Sequence, residues 1–166
     1  MSTRQLISQC VKWTRLAAIT ASCGYISWNF IAEPILCSGS SMEPTLHDND
    51  IILTERFSSV FTKNYNRGDV VVARCPTNPN TLICKRVVAV AGDSIRQGFF
   101  SQIVIPRGHV WLAGDNTNHS TDSRVWGPIP IGLIVGKAVL KVWPFEEFEV
   151  VPNTPKVRQK SPKQES

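Results

Sequence analysis

The stretch TLICKRVVAVAG, residues 81–92, decides the fold, because it is rich in β-branched residues and closes on a glycine. A run of this composition and length is typical of a β-strand. Successive side chains of a strand point to opposite faces. One face of this strand therefore carries a lysine within an otherwise apolar row: Ile83, Lys85, Val87, Ala89 and Ala91.

A lysine in an apolar row has distinctive chemistry. Desolvation disfavours the ammonium form, so burial lowers the pKa of the amine and leaves a neutral base. Arg86, the next residue, points to the opposite face. The alternative is a lysine on an edge strand, or one whose ammonium group snorkels to water. The sequence leaves both interpretations open.

Runs of the same kind continue on both sides of this strand. Clusters of Asn, Asp, Pro and Gly separate them, as at turns. At 166 residues the chain has room for one ordinary domain. We predict a mainly β, antiparallel catalytic domain over residues 38–151. The further strand-like runs are DIILTERF, DVVVARC, QIVIPRG, HVWLAGD and LIVGKAVLKVWPF.

The N-terminal region differs in composition from this domain. Residues 1–15 are basic and lack acidic residues, and the stretch from Leu16 to Ala32 is uncharged. We predict a basic segment over 1–15 and a single transmembrane helix with its linker over 16–37. The alternatives are a cleaved secretory signal, a mitochondrial presequence and a buried core helix.

The net charge of +5 comes from the two ends of the chain rather than from its middle. The last residues, 152–166, are polar, basic and interrupted by proline, which predicts a disordered tail. The body between the ends is close to neutral, and no helix-turn-helix or zinc-finger pattern occurs in it. These features argue against nucleic-acid binding.

The five cysteines, at positions 10, 23, 37, 75 and 84, form no C-x-x-C pair. Their spacing matches no zinc site, so we expect neither a bound metal nor a cofactor. Cys75 and Cys84 are placed to face each other across a hairpin and form a disulfide. Free, buried thiols are the alternative.

The segment SGSSMEPTL, residues 38–46, places two adjacent serines before Met42. A serine needs a base to act as a nucleophile at neutral pH, and a desolvated lysine can replace the usual histidine. Ser40 and Ser41 are equally compatible with an ordinary polar turn. The combination of this segment with Lys85 is what favours catalysis.

The chain resembles the type I signal peptidases, a family that uses a Ser–Lys dyad and a barrel-like antiparallel sheet. Four blocks in the family's order carry the resemblance. They are SMEPTL (41–46), RGDVVV (67–72), KRVVAVAGD (85–93) and GDNTNHSTDSRVWG (114–127). The resemblance implies that Ser41 is the nucleophile and Lys85 the general base.

The last block adds supporting residues by the same resemblance. Ser120 is expected to orient the lysine amine, and Asp122 and Arg124 are expected to form an ion pair that fixes the Ser120 loop. Many bacterial members have a serine where this chain has Gly39, so the oxyanion contacts would rest on other groups near the nucleophile. The predicted oxyanion and substrate edge consists of Gly39, Ser40 and Met42.

The short connection from Asp93 to Gly114 and the triplet at 122–124, DSR, are most similar to the mitochondrial inner-membrane branch of the family. That similarity implies a site facing the intermembrane space, precursors with sorting signals as substrates, and a second catalytic subunit as partner. A bacterial or organellar signal peptidase, a self-cleaving repressor-type protease and a catalytically silent membrane adaptor are the alternatives.

Overall fold

A computed structural model describes residues 3–30, 32–97 and 101–155. Within these ranges the secondary structure comprises two α-helices and ten β-strands, with single turns of π- or 3-10 helix at Ser58–Thr62, Thr117–His119, Ile131–Leu133 and Phe145–Glu147. The helices are α1 (Thr3–Phe30) and α2 (Ser123–Trp126). The strands are β1 (Glu33–Leu36), β2 (Ile51–Glu55), β3 (Val70–Arg74), β4 (Leu82–Ala89), β5 (Ser94–Gln97), β6 (Ser101–Val104), β7 (His109–Ala113), β8 (Ile129–Pro130), β9 (Ile134–Trp143) and β10 (Glu149–Val150).

The main sheet has the order β1-β2-β9-β3-β4-β7-β8, and every pairing in it is antiparallel. β10 also pairs with β9, while β5 and β6 form a separate hairpin. The main sheet is curled into a half-barrel. The prediction of a mainly β, antiparallel fold is therefore confirmed.

The core lies on both sides of β3, whose first four residues are fully buried. Val70 and Val72 pack on one side with Met42 and Leu46, and Val71 packs on the other side with Val87. A strand covered on both faces has a continuous apolar sequence instead of an alternating one. The run VVVA, residues 70–73, therefore lies between the two main apolar clusters of the core.

Strand β4 brings the lysine identified in the sequence into this interior. Lys85 pairs with Val71 of β3 and is only 4% exposed. Arg86 is buried as well, on the opposite face. The alternative of a snorkelling lysine is therefore wrong for Lys85, although β4 pairs with β7 only from Arg86 onward and Lys85 lies where that edge is open in the described residues.

Helix α1 covers most of the region predicted as a membrane anchor. Within the described ranges, no helix is both long enough and apolar enough to cross a bilayer. The transmembrane helix predicted within 16–37 is thus not supported. With 28 residues α1 has sufficient length, so we attribute the result to polar residues such as Thr20 and Ser22 within it.

Strand β1 also lies inside the range 16–37, and it pairs with β2 at the edge of the main sheet. At the other end, residues 156–166 of the predicted tail lie outside the described residues. The tail's first residue, Pro152, is described and accepts a hydrogen bond from Arg86.

All five cysteines are free thiols. Cys84 lies opposite Val72 on β3, whereas the backbone N–H of Cys75 bonds to the carbonyl of Thr81. Cys75 and Cys84 therefore do not face each other. The interpretation as free thiols is confirmed, and the hairpin disulfide is wrong.

Candidate active site

Ser41 and Lys85 meet at the centre of the candidate site. Nζ of Lys85 lies 2.6 Å from Oγ of Ser41, within hydrogen-bond distance. Ser41 belongs to the loop between β1 and β2, and Lys85 lies in the middle of β4. Met42 and Leu46 anchor this loop in the core. The backbone N–H groups of Thr45 and Leu46 each donate to the Met42 carbonyl.

The surroundings of Lys85 favour its neutral form. Burial lowers the pKa of its amine below the ordinary value, although Cys84 and Asp122 oppose that shift. None of the ion pairs found in the described residues involves Lys85. A buried amine without a paired carboxylate can accept a proton, which is what a general base must do.

Asp122 is the best-satisfied carboxylate near the site. It is fully buried and caps α2, where its Oδ1 accepts bonds from the backbone N–H and the Nε of Arg124 at 3.1 and 2.8 Å. Its Oδ2 accepts from the N–H of Gly114 at 3.0 Å and from Oγ of Ser120 at 2.8 Å. Burial alone would raise the pKa of Asp122, but these donors, led by Arg124, lower it to about 2. The carboxylate is therefore ionised at any physiological pH.

Ser120 lies beside the dyad, and its role in orienting Lys85 stays a prediction. Its hydroxyl donates to Asp122, and the described residues contain no hydrogen bond between Ser120 and Lys85. Gly114 separates the two serines. A Cβ at Gly114 would lie 2.3 Å from Oγ of Ser120 and 2.5 Å from the carbonyl oxygen of Ser41. Only glycine fits there. Its lack of a side chain lets Ser120 and the nucleophile loop both pack against residue 114.

A buried ion pair that the sequence analysis did not identify supports the nucleophile loop. Nε and Nη2 of Arg86 lie 2.8 and 2.7 Å from the two carboxylate oxygens of Asp115. The hydroxyl of Thr45 donates to the same carboxylate at 2.5 Å. Nη1 of Arg86 donates to the carbonyls of Gly68 and Pro152 at 2.7 and 2.6 Å.

The signal for this pair was present in the sequence. Arg86 adjoins Lys85, and Asp115 belongs to the same sequence block as Ser120 and Asp122. A buried arginine requires an acidic partner. Asn116 completes the link to the loop, since its backbone N–H donates to the Ser41 carbonyl and its amide Nδ2 to the Ser40 carbonyl, both at 3.0 Å. The strand β4 thus presents the base on one face and the loop support on the other.

The predicted oxyanion and substrate edge is arranged around the loop backbone. Gly39 has φ of +92°, and its N–H donates to Oδ1 of Asp48 at 2.8 Å. A serine in this backbone conformation would be strained. Ser40 is half-buried, with its carbonyl held by Asn116, and Met42 is buried in the core.

A cleft of about 320 Å³ leads to the dyad. One wall is the segment from Ile35 to Met42, and the other is the start of β4 from Leu82 to Lys85. β4 pairs with β7 only from Arg86 onward, so the described residues supply no strand partner to that edge before Arg86. In the described part of the chain, His, Cys, Asp and Glu side chains form no group of three or more suited to a metal ion.

Comparison with known proteins identifies relatives of this chain. Residues 10–98 and 96–143 match the family model described as signal peptidase, peptidase S26. The chain is 43% identical over 149 residues to mitochondrial inner membrane protease subunit 1 of Mus musculus, covering 85% of this chain and 89% of the relative. The Homo sapiens protein of the same name is 43% identical over 145 residues, covering 82% and 87%. Mitochondrial inner membrane protease subunit 2 of Saccharomyces cerevisiae is 41% identical over 115 residues, covering 64% and 65%.

Proposed function

The chain belongs to the signal peptidase family, peptidase S26, and is a serine peptidase; we propose that Ser41 is its nucleophile and Lys85 its general base. The observation that carries this proposal is the 2.6 Å separation of Lys85 Nζ and Ser41 Oγ, with the lysine buried and unpaired by any carboxylate in the described residues. A nucleophile and a base within hydrogen-bond reach are the minimum for covalent catalysis.

The proposed reaction begins with the neutral amine of Lys85. It takes the proton of the Ser41 hydroxyl while Oγ attacks the scissile carbonyl carbon, and the backbone N–H group of Ser41 stabilises the tetrahedral intermediate. The ammonium of Lys85 then protonates the leaving amine, which departs as the new N-terminus. Lys85 next activates a water molecule, which hydrolyses the acyl-enzyme and restores Ser41.

The roles of the supporting residues follow from their contacts. Two hydrogen bonds join the side chains of Arg124 and Asp122, and a third joins the Arg124 backbone N–H to Asp122. Asp122 in turn accepts a bond from Ser120. Because Ser120 donates its proton to Asp122, the lone pairs of its oxygen remain available to accept a bond from the Lys85 amine. We propose that Ser120 positions the amine in this way when substrate closes the cleft.

We propose that substrates bind in an extended conformation along the free edge of β4. The backbone of Leu82 to Lys85 is open on the side where β7 pairs further along, and an added strand would satisfy its hydrogen-bonding groups. Such a strand would run through the cleft directly to Ser41. Side chains that alternate toward the cleft wall would then provide sequence specificity.

The relatives are named mitochondrial inner membrane proteases, and this chain is located at the mitochondrial inner membrane. We propose that its catalytic domain, residues 38–151 together with β1, faces the intermembrane space. Substrates would be precursors whose sorting signals are removed there.

Since relatives carry the names subunit 1 and subunit 2, we also propose a partnership with a second, related subunit. Retention of the full chain in the membrane fraction after alkaline extraction would support a direct membrane attachment, and release would contradict it.

The deciding experiment compares single substitutions in the full-length protein, reconstituted in membranes with the partner subunit. Ser41→Ala and Lys85→Met are each expected to reduce cleavage of precursors with sorting signals by roughly 10³-fold or more. Ser40→Ala is the matched control, since only its carbonyl is engaged by the site, and it should retain most of the activity. Circular dichroism and co-purification of the partner establish that each variant is folded and assembled.

Two outcomes would contradict the proposal. Equal loss in Ser40→Ala and Ser41→Ala would mean that the loop, rather than one hydroxyl, is needed. Undiminished cleavage by Ser41→Ala and Lys85→Met would place the chemistry in the partner, and the chain would then be a catalytically silent adaptor of the same fold.

A further inference from the structure

Two thiols line the wall of the substrate cleft next to the dyad. Cys37 lies four residues before Ser41 at the start of the nucleophile loop, and Cys84 lies next to Lys85 on β4. Both belong to one apolar cluster with Met42, and both line the cleft. The two walls of the cleft thus each contribute one cysteine: Cys84 is adjacent to Lys85 in sequence, and Cys37 lies on the same loop as Ser41.

Cys84 packs against the cluster that contains Cys37, and the two thiols affect each other's ionisation. The interaction with Cys84 lowers the pKa of Cys37, whereas the interaction with Cys37, together with burial, raises the pKa of Cys84 well above its usual value. Cys37 is therefore the better nucleophile of the pair, and Cys84 is a neutral thiol held in contact with it. Cys75 is engaged elsewhere, since its sulfur lies 3.2 Å from Oγ1 of Thr77.

We propose that Cys37 and Cys84 form a modification site: a dithiol that a small disulfide converts to an intramolecular disulfide, with loss of proteolytic activity. This inference rests on the proposed function for its effect on catalysis, but the disulfide itself does not depend on that function. The oxidant belongs to the chemical class of glutathione disulfide.

The reaction is an ordinary two-step thiol–disulfide exchange. The Cys37 thiolate attacks one sulfur of glutathione disulfide, which forms a mixed disulfide and releases one glutathione thiolate. Cys84 then loses its proton and attacks the Cys37 sulfur, which releases the second glutathione. Two electrons pass from the protein thiols to the oxidant, and one disulfide becomes two molecules of glutathione.

The disulfide would disturb the dyad because it joins the two walls that must part for a substrate. Bonded sulfurs lie about 2 Å apart, closer than the sulfurs of two free thiols. The bond would pull the start of the nucleophile loop toward β4 and tie the Ser41 loop to the Lys85 strand. The disulfide would therefore obstruct a substrate strand that enters the cleft between these walls.

The chemical test uses the full-length chain equilibrated in glutathione buffers of increasing oxidised fraction. Free thiols are alkylated under denaturing conditions and the protein is digested for mass spectrometry. The expected result is two fewer alkylated thiols and a disulfide-linked peptide pair containing Cys37 and Cys84. Failure to detect that pair in any oxidised buffer would overturn the proposal.

The activity test follows cleavage in the same buffers. Wild type is expected to lose at least about tenfold in cleavage rate on oxidation and to recover it after dithiothreitol. Cys75→Ser is the matched control and should show the same response. Cys37→Ser and Cys84→Ser should lose the response to the oxidant whatever their own rate is, and if either fails to fold, wild type and Cys75→Ser still decide the question.

The outcomes separate the two proposals. A Cys37–Cys84 disulfide with an unchanged rate would refute the inhibitory role. A protein that cleaves no precursor even when fully reduced would contradict the proposed function, while the mass measurement would still show whether the disulfide forms.

Discussion

Two buried lysines of this molecule have nearly the same exposure and opposite electrostatic surroundings. Lys85 is 4% exposed and Lys141, in β9, is 1% exposed. Lys141 lies 2.5 Å from Glu147, 3.4 Å from Asp50 and 3.8 Å from Glu149. The hydrogen-bond partner of the Lys85 amine is the hydroxyl of Ser41, whereas the partners of the Lys141 amine are carboxylates.

The comparison shows that burial alone does not decide the charge of a lysine. Burial lowers the pKa of both amines, and for Lys85 that effect prevails. For Lys141 the bond to Glu147 and the charge of Asp50 outweigh burial, so the pKa of its amine is raised. Lys141 is therefore a charged residue that stabilises the fold, whereas the surroundings of Lys85 favour the neutral amine that a general base requires.

The largest expected effect is on the stability of the Lys141 region. Lys141→Met removes the cation and leaves Asp50, which is nearly fully buried, without its counter-ion. Breaking a buried pair in this way costs roughly 3 kcal/mol. Chemical denaturation should show that loss, with cleavage activity per folded molecule retained. A free energy of unfolding equal to wild type would mean that the carboxylates around Lys141 are satisfied without it.

A smaller effect is expected when the packing beside Lys85 is disturbed. Gly114→Ala would push its methyl group against Ser120 Oγ and the Ser41 carbonyl, and we expect a loss of roughly 10²-fold in kcat/KM from misplaced catalytic groups. Gly132→Ala is the matched control, because a Cβ there meets nothing within 4 Å. Equal activity of the two variants would show that the dyad tolerates movement of its neighbours.

The pH profile tests the neutral state of Lys85 directly. The base must be unprotonated, so kcat/KM should fall about tenfold per pH unit below the pKa of Lys85 and level off above it. Because burial lowers that pKa, the plateau should begin below the ordinary lysine value of 10.5. Asp122, with a pKa of about 2, stays ionised throughout. A rate that decreases as pH rises through neutrality would contradict a lysine base.

The smallest effect is a gain in stability when Lys85 is replaced. The folded protein holds Lys85 with a lowered pKa, so the unfolded chain binds more protons between that pKa and 10.5. The cost of burial is therefore fully present below the folded pKa and disappears as pH rises toward 10.5. Lys85→Met should raise the Tm by roughly 2–4 °C at neutral pH, which corresponds to about 1 kcal/mol. Calorimetry at neutral and alkaline pH checks this, and a lower Tm at neutral pH would show that the amine is stabilising.

The sequence could predict the Lys85 region because its strand alternates regularly. Ile83, Lys85 and Val87 share a face by simple alternation, and the apolar neighbours in that row indicate burial. The blocks around Ser41 and Ser120 could be found from their order along the chain. Their contacts could not, because the bond from Ser120 to Asp122 depends on how the segment between β7 and α2 turns back.

The Lys141 region could not be predicted for a specific reason. Alternation along β9 from Ile134 through Gly136 and Ala138 would bury Leu140 next and expose Lys141. A register shift opposite Leu53 and Thr54 leaves Val139 unpaired, so that Lys141 turns inward instead. A bulge of this kind reverses the faces of the residues that follow it, up to the next register shift. The prediction of a membrane helix rested on the absence of charged residues from Leu16 to Ala32, and an uncharged stretch that contains Thr, Ser and Gly is less apolar than its lack of charge indicates.

The bond from Arg86 to the Pro152 carbonyl has a consequence for the timing of folding. Arg86 holds Asp115, which in turn holds Thr45 of the nucleophile loop, and one of its acceptors lies near the end of the chain. A polypeptide still emerging from a ribosome or an import channel has not yet supplied that acceptor. The support of the nucleophile loop through Arg86 is therefore complete only after residue 152 has joined the folded domain.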